Sequence, residues 1–367
     1  MGEQGQISCY GWSDGFRTRN DPKGGGRTAL GRYPSAMAQA PVVATSPEVA
    51  TADPHAREGR RLSRAMVGIL IGYLALILVL MVVRGAYMSP DLFVVLALVV
   101  AVVLGRTRLF LRDWLPFVAI FLGWESMRGL ADELGATVHS TDVIALERFF
   151  FAGRIPSEVL QAAFHVRGQV NFLDMATTFL YVAHFALPLV VAFIFWMLER
   201  RLFYRYLLAL MLMSFAAFIC YVLIPVAPPR FAGSFGPALN VEDIARETFT
   251  RLHFAPITTW LYGNISGNPV AAFPSLHSAY PLLAYLFARS RWPRASLILL
   301  AWAAAIWFSV VYLGHHYVID VVAGILFAIG AYAALQSPIL KRFASWLAGL
   351  GRLHRDPSST AGTMPRR

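Results

Sequence analysis

Long apolar runs separated by short arginine clusters are the feature that most constrains this fold. Apolar residues make up 57% of the chain and charged residues 14%, a composition far from that of a soluble globular protein. Eight runs have about the length that crosses a bilayer as a helix. They are roughly Ala65 to Val83, Pro90 to Gly105, Trp114 to Ala131, Ala176 to Leu198, Tyr204 to Ala227, Ala271 to Ala288, Ala295 to Leu313 and Tyr317 to Leu335. The sequence therefore predicts an all-α polytopic membrane protein with about eight transmembrane helices.

The arginine clusters predict the orientation of these helices. Every cluster precedes the first run or follows an even-numbered run: residues 57–64, 106–112, 200–205, 289–294 and 341–342. The positive-inside rule places all of them, and both termini, in the cytoplasm. We expect a multi-pass protein of the cell membrane in which Arg230, residues 274–277 and residues 314–316 lie on the extracytoplasmic side.

Composition also predicts the domain organisation. Residues 1–60 are rich in Gly, Pro, Ser, Ala and charge, which is typical of a disordered tail, here cytoplasmic. Residues 61–337 form the predicted transmembrane catalytic domain, and residues 338–367 a basic cytoplasmic tail. Within the domain, residues 140–168 mix apolar blocks with charges, which predicts interfacial helices, and residues 228–270 form a long outer loop.

The net charge of +11 indicates membrane lipids rather than nucleic acid as partners, because much of it comes from juxtamembrane arginines facing anionic lipid. Cys9 lies in the tail and Cys220 inside a run, so we expect no disulfide between them. The oligomeric state stays open.

Two short polar motifs at the ends of apolar runs form the candidate site. The first is Phe-Pro-Ser-Leu-His at 273–277, and the second comprises Ser309 and residues 312–320. If a helix follows Gly314, His316 and Asp320 share one of its faces, because they are four residues apart. A carboxylate there can hold the imidazole by its Nδ1 proton, which leaves Nε2 free to attack or to bind a metal.

Ionisable groups within or at the edge of a span are costly, so they are usually functional. This argument assigns a function to His277 and His316. We expect the histidines at 139, 165, 184 and 253 to be hydrogen-bonded structural residues. His315 is left open, because on a helix it would point away from its neighbour His316.

The motifs resemble those of the type 2 phosphatidic acid phosphatase superfamily. Its second motif reads Pro-Ser-Gly-His, and its third reads Ser-Arg, five residues, His, three residues, Asp. The matching residues here are Pro274, Ser275 and His277, then Ser309, His316 and Asp320. The resemblance covers about residues 110–335 and implies a six-helix phosphatase-type core, to which this chain adds N-terminal spans.

Three differences from these motifs indicate which branch of the superfamily the chain resembles. Leu276 replaces Gly, Val310 replaces Arg, and the first motif is reduced to Arg230, with no preceding Lys and with Phe231 in place of Pro. This pattern resembles the branch of inositol phosphorylceramide and sphingomyelin synthases and their bacterial relatives. A site with fewer cations suits a phosphodiester better than a doubly charged monoester, so we expect a lipid-linked phosphodiester substrate.

Glu125 and Arg128 also look familiar from that branch. They are three residues apart in a predicted span, so they could form a structural ion pair or contact the substrate, and the sequence does not decide between these two roles.

The resemblance implies covalent phosphoryl transfer without a metal or cofactor. His316 is the implied nucleophile, Asp320 fixes its tautomer, and His277 acts as general acid and then as general base. The implied phosphate donors are Arg230, Ser275 and Ser309. Whether water or another hydroxyl is the acceptor is open, so both a phosphatase and a phosphotransferase fit.

Two other classes of protein remain as alternatives. A metal-dependent membrane hydrolase would use His277, His315 or His316, and Asp320 as ligands, although no His-Glu-x-x-His element is present. A lipid transporter or flippase would use the outer pocket for binding alone, but the sequence has no detectable internal repeat.

Overall fold

The computed structural model describes residues 90–128, 137–252 and 270–350, together with six isolated residues between 68 and 79. The predicted tail at 1–60, the last part of the outer loop at 253–269 and the chain after 350 lie outside these residues. Within the described ranges the regular structure is helical. The helices are α1 (Pro90–Val103), α2 (Thr107–Arg128), α3 (Thr141–Phe150), α4 (Pro156–Phe164), α5 (Phe172–His184), α6 (Leu187–Leu198), α7 (Arg200–Leu223), α8 (Ala232–Phe235), α9 (Ile244–Arg251), α10 (Leu276–Ala288), α11 (Leu297–Tyr312), α12 (Val318–Ala334) and α13 (Pro338–Leu350).

The long apolar helices agree with a membrane protein. Among the described residues, α7 alone is long and apolar enough to cross a bilayer as one straight helix. Two bent pairs also qualify if each counts as one span: α5 with α6, bent by 53°, and α12 with α13, bent by 75°. The all-helical membrane fold is therefore confirmed, whereas the count of eight spans and their orientation stay predictions.

The predicted run from Ala176 to Leu198 is not one straight helix. It is divided between α5 and α6, which meet at Phe185 and Ala186. Pro188 lies in the first turn of α6 and has no N–H to donate to the preceding turn, so a continuous helix would lose a hydrogen bond there. Helix α5 therefore ends at His184, and the chain bends before α6 begins.

A buried carboxylate joins α2 to α6 and α7. Asp113 accepts hydrogen bonds from Trp196 Nε1 at 2.8 Å and from the Tyr204 hydroxyl at 2.7 Å, and it contacts the Arg200 guanidinium. These donors replace the water that the buried anion has lost. Beside it, the rings of Trp114 and Phe203 pack at 5.5 Å.

Helices α10, α11 and α12 hold both polar motifs. The start of α10 lies directly on α12 at Gly324, where a Cβ atom would come within 2.1 Å of both Ser275 O and Ser278 Oγ. Ser278 Oγ donates to Val321 O at 3.0 Å, and Trp307 Nε1 of α11 donates to Ser278 O at 3.1 Å. This close packing brings residues 275–277 next to residues 316–320.

Two helices, α3 and α4, occupy the segment predicted to form interfacial helices. Helix α4 contacts α11, and α9 from the outer loop contacts α5. The predicted basic tail begins with a helix, because α13 covers Pro338–Leu350 and packs against α7.

Candidate active site

The two motif histidines meet directly. His277 is the second residue of α10, and its Nδ1 lies 3.0 Å from His316 Nε2, with the ring centroids 5.1 Å apart. One of these two nitrogens carries the shared hydrogen, since a bond between them needs one donor and one acceptor. Residues 39 positions apart in the chain thus form one unit.

The condition under which His316 and Asp320 would share a helical face, a helix that follows Gly314 directly, is not met. Helix α12 begins at Val318, so His316 precedes it and Tyr317 is its N-cap. Asp320 nevertheless reaches back over the helix start: its Oδ2 accepts from the Tyr317 amide at 2.9 Å and lies 3.5 Å from His316 Nδ1. The imidazole and the carboxylate therefore meet across the N-terminus of a helix.

Ser275 caps α10. Its Oγ accepts from the Ser278 amide at 3.3 Å, and its own amide donates to the Asp320 carbonyl at 3.0 Å. The cap places the first-turn amides of Leu276 and His277 at a helix N-terminus, which favours anions. A capping role and the predicted phosphate contact are compatible uses of this position.

Ser309 stands apart from the other predicted phosphate donors. It is fully buried in α11, and its Oγ donates to the Ala305 carbonyl at 2.7 Å. The hydroxyl hydrogen is therefore used within its own helix, so Ser309 is not oriented as a donor to the pocket in this conformation.

Arg230 reaches the site from the short 3-10 turn Pro229–Phe231. Its amide donates to Gly314 O at 3.1 Å, its Nη1 contacts His315 Nδ1, and its Nε lies 3.5 Å from Asp243 Oδ2. Only 8% of the side chain is exposed, so this cation is held beside His315 in a mostly dry position.

Gly314 makes this arrangement possible. Its φ of +71° suits glycine, and a Cβ atom would lie 2.5 Å from Val241 Cγ1 and 3.5 Å from Arg230 Cβ. The segment 314–317 is thus a turn rather than a helix.

This turn decides the position of His315, which the sequence left open. Its ring is buried, contacts Arg230 and stacks on Tyr181 with centroids 4.3 Å apart. Tyr181 also stacks on His277 at 5.2 Å, and His184, one turn further along α5, lies 5.1 Å from His277.

Helix α5 therefore supplies an aromatic wall that the motif search missed. His184 was expected to be structural, and Tyr181 was not considered. Their spacing of three residues, which places both on one helical face, was the available signal.

Glu147 is a second residue missed by the motif search. This fully buried side chain of α3 accepts from the Val318 amide at 2.8 Å and from the Ile319 amide at 3.3 Å. Burial raises the pKa of Glu147 to about 6, partly offset by the two amides and reinforced by the charge of Asp320. The carboxyl group caps the helix that carries Asp320.

The structure does not decide between the alternatives for Glu125 and Arg128. Both lie in the last turns of α2, but their side chains are outside the described part of the chain.

The site geometry agrees with a comparison of sequences. Residues 143–334, slightly more than half of the chain, match the PAP2 superfamily. The chain belongs to the PAP2 superfamily. This confirms the predicted family and an enzyme of the phosphatidic acid phosphatase type, and the match begins inside α3, after Glu125 and Arg128.

Several curated proteins are similar to part of the chain. The phosphoinositol dihydroceramide synthase of Bacteroides thetaiotaomicron is 32% identical over 152 residues, which cover 39% of this chain and 48% of that protein. The inositol phosphorylceramide synthase of Candida albicans is 26% identical over 157 residues, 41% of this chain and 33% of that protein. The chain thus spans less than half the length of these relatives. No solved structure shows a significant match.

Proposed function

We propose that this protein is a membrane-embedded lipid phosphotransferase that works through a phosphohistidine at His316. One observation carries the proposal: His316 Nε2 meets His277 Nδ1 at 3.0 Å, while Asp320 lies beside its Nδ1. A nucleophile, a proton carrier and an orienting carboxylate are thus arranged in a row, with the Arg230 cation at their side.

The first step follows from this order. Asp320 favours the His316 tautomer with its proton on Nδ1, so the Nε2 lone pair faces the pocket. As Nε2 forms a bond to phosphorus, the bond from phosphorus to the leaving oxygen breaks, and His277 donates its proton to that oxygen. Arg230 and the N-terminus of α10 stabilise the charge on the phosphoryl oxygens.

The second step reverses the roles. His277 accepts the proton of an acceptor hydroxyl, whose oxygen bonds to phosphorus while the bond to His316 Nε2 breaks. The names of the relatives support a lipid hydroxyl as acceptor and a phosphorylated head group as the transferred unit. We therefore assign to this chain the transfer of a phosphodiester head group, such as phosphoinositol, to a ceramide-type lipid.

Substrate binding in this proposal requires the rings of His277 and His316 to move apart. In-line transfer needs phosphorus near His316 Nε2 and the leaving oxygen within hydrogen-bond reach of His277, which separates the two nitrogens by roughly 6 Å. Since they are 3.0 Å apart, the substrate must enter between the rings and part them.

We further propose eight spans, cytoplasmic termini and an extracytoplasmic site. Helix α10 supports this orientation, because His277 lies at its start and Arg289 follows its last residue. A basic loop and the catalytic pair are thus at opposite ends of one apolar helix, as the positive-inside rule requires.

The test uses purified protein and a panel of candidate donor and acceptor lipids, with every phosphorus-containing product identified by mass spectrometry. Replacing His316 with Ala should lower turnover by at least about 10³-fold while the protein remains folded. His139→Ala is the matched control, because that ring pairs with Asp142 at the surface. Turnover by folded His316→Ala close to that of the control would refute the covalent mechanism.

A further inference from the structure

Three side chains of metal-ligand type converge away from the catalytic pair. His165 follows α4, Glu242 precedes α9, and Glu247 lies within α9. His165 Nε2 is 3.2 Å from Glu247 Oε2 and 3.7 Å from Glu242 Oε2. One ligand atom from each residue lies within 4.8 Å of the other two, so a single ion could contact all three.

The histidine in this cluster has an unsatisfied nitrogen. Its side chain is only 3% exposed, and its buried Nε2 has no hydrogen-bond partner among the described residues. On the other side of the ring, Nδ1 lies 3.2 Å from Oδ2 of the fully buried Asp174. Asp174 is itself held by the Tyr312 hydroxyl and by the Asn171 amide.

This arrangement determines which ring nitrogen can bind an ion. A proton on Nδ1 bonds to Asp174, so the Nε2 lone pair faces the two glutamates. A bare lone pair opposite two carboxylates is unfavourable unless a positive charge lies between them. A carboxylate that orients a histidine from behind is also the usual partner of a metal-binding imidazole.

The arginine that pairs with Glu242 does so through the oxygen that is not next to His165. Arg167 contacts Glu242 Oε1, and this arginine is 68% exposed, so it pairs with Glu242 from the solvent side. The other oxygen, Oε2, is the one that faces His165.

We propose that His165, Glu242 and Glu247 bind a divalent transition-metal cation such as Zn²⁺ or Mn²⁺, oriented by Asp174. One imidazole nitrogen and two carboxylate oxygens suit these ions. This site shares no residue with the metal-ligand set considered from the sequence, which used His277, His315 or His316, and Asp320.

The bound cation would steady the phosphate side of the active site. Gln161 donates to Glu242 O at 3.0 Å and to Tyr312 O at 2.8 Å, so the segment before α9 already rests on α11. The next residue, Asp243, lies 3.5 Å from Arg230 Nε. Cation binding would therefore fix the position of Asp243, the partner of Arg230. The effect on the active site rests on the proposed function, whereas the binding itself does not.

The test measures binding directly. Protein stripped with a chelator is titrated with Zn²⁺ or Mn²⁺ by calorimetry, and its Tm is recorded with and without the ion. We expect saturable binding of about one ion and a Tm rise of several degrees, since the ligand set exists only in the folded state. His165→Gln and Glu247→Gln should weaken affinity by at least about 10-fold.

Two controls make the outcome decisive. Glu247→Gln leaves the contact between His165 and Asp174 intact, so misfolding of one variant does not prevent the test. Asp142→Asn, at an exposed His–Asp pair that has no third ligand among the described residues, should bind the ion like the wild type. The proposal would be overturned if the wild-type protein bound neither ion, or if it bound the ion no more tightly than both ligand variants. A proton shared within the cluster would then replace the cation.

The same titration separates this proposal from the catalytic one. A folded His316→Ala protein should bind the ion with wild-type affinity, whether or not His316 is the nucleophile.

Discussion

Replacing Gly324 with Ala should disrupt the active site by forcing α10 and α12 apart. The added Cβ would lie 2.1 Å from Ser275 O and from Ser278 Oγ, so backbone as well as side chain blocks it. Reaching the 3.4 Å of ordinary van der Waals contact requires α10 and α12 to move apart by about 1.3 Å. His277 is carried by one of these helices, while Asp320 is carried by the other.

The expected magnitudes follow from that displacement. Overpacking of this kind costs about 1–3 kcal/mol of folding free energy. A shift of about 1 Å between reacting groups lowers turnover by roughly 10²-fold. Thermal unfolding in detergent and the lipid product assay measure the two effects.

Gly330→Ala is the matched control. It lies in the same helix, nothing is within 4 Å of its added Cβ, and alanine there gains up to about 1 kcal/mol of helix propensity. Wild-type turnover and Tm in Gly324→Ala would refute the close helix contact. Equal losses in both variants would show that the effect comes from α12 in general.

Three further predictions concern stability, substrate binding and topology. The pKa of Glu147 is raised from 4.5 to about 6, so its ionisation as pH rises through this range should lower the free energy of unfolding by about 2 kcal/mol and lower the Tm. Glu147→Gln should lack this decline in Tm with rising pH. An unchanged decline in the variant would contradict the assignment to Glu147. Gly314→Ala should raise KM, because alanine is strained at this positive φ and would displace the Gly314 carbonyl that accepts from the Arg230 amide. Gly105→Ala has the same strain but nothing within 4 Å of its added Cβ, so it should leave KM unchanged. In a cysteine-free background, an impermeant maleimide applied to intact cells should label Ser234→Cys and spare Arg291→Cys; the opposite pattern would invert the topology.

The sequence by itself determined the class of fold and the family. Apolar runs and arginine clusters are local patterns, so they predict helices in a membrane without any knowledge of packing. The intervals between Ser309, His316 and Asp320 likewise identified the PAP2 superfamily, because the chemistry needs these residue types at set distances along the chain. That both motifs contribute to one site was also expected, because each lies at the end of an apolar run.

Only the tertiary structure decided what surrounds this pair. His315 enters the pocket because Gly314 makes a turn where the spacing suggested a helix, and the same turn puts His316 outside α12. Tyr181 and Glu147 come from helices roughly 90 residues or more away from the motifs in the chain, so no spacing rule connects them to the motifs. Their positions depend on how α3, α5, α10 and α12 pack, and packing is set by contacts between distant residues rather than by local sequence.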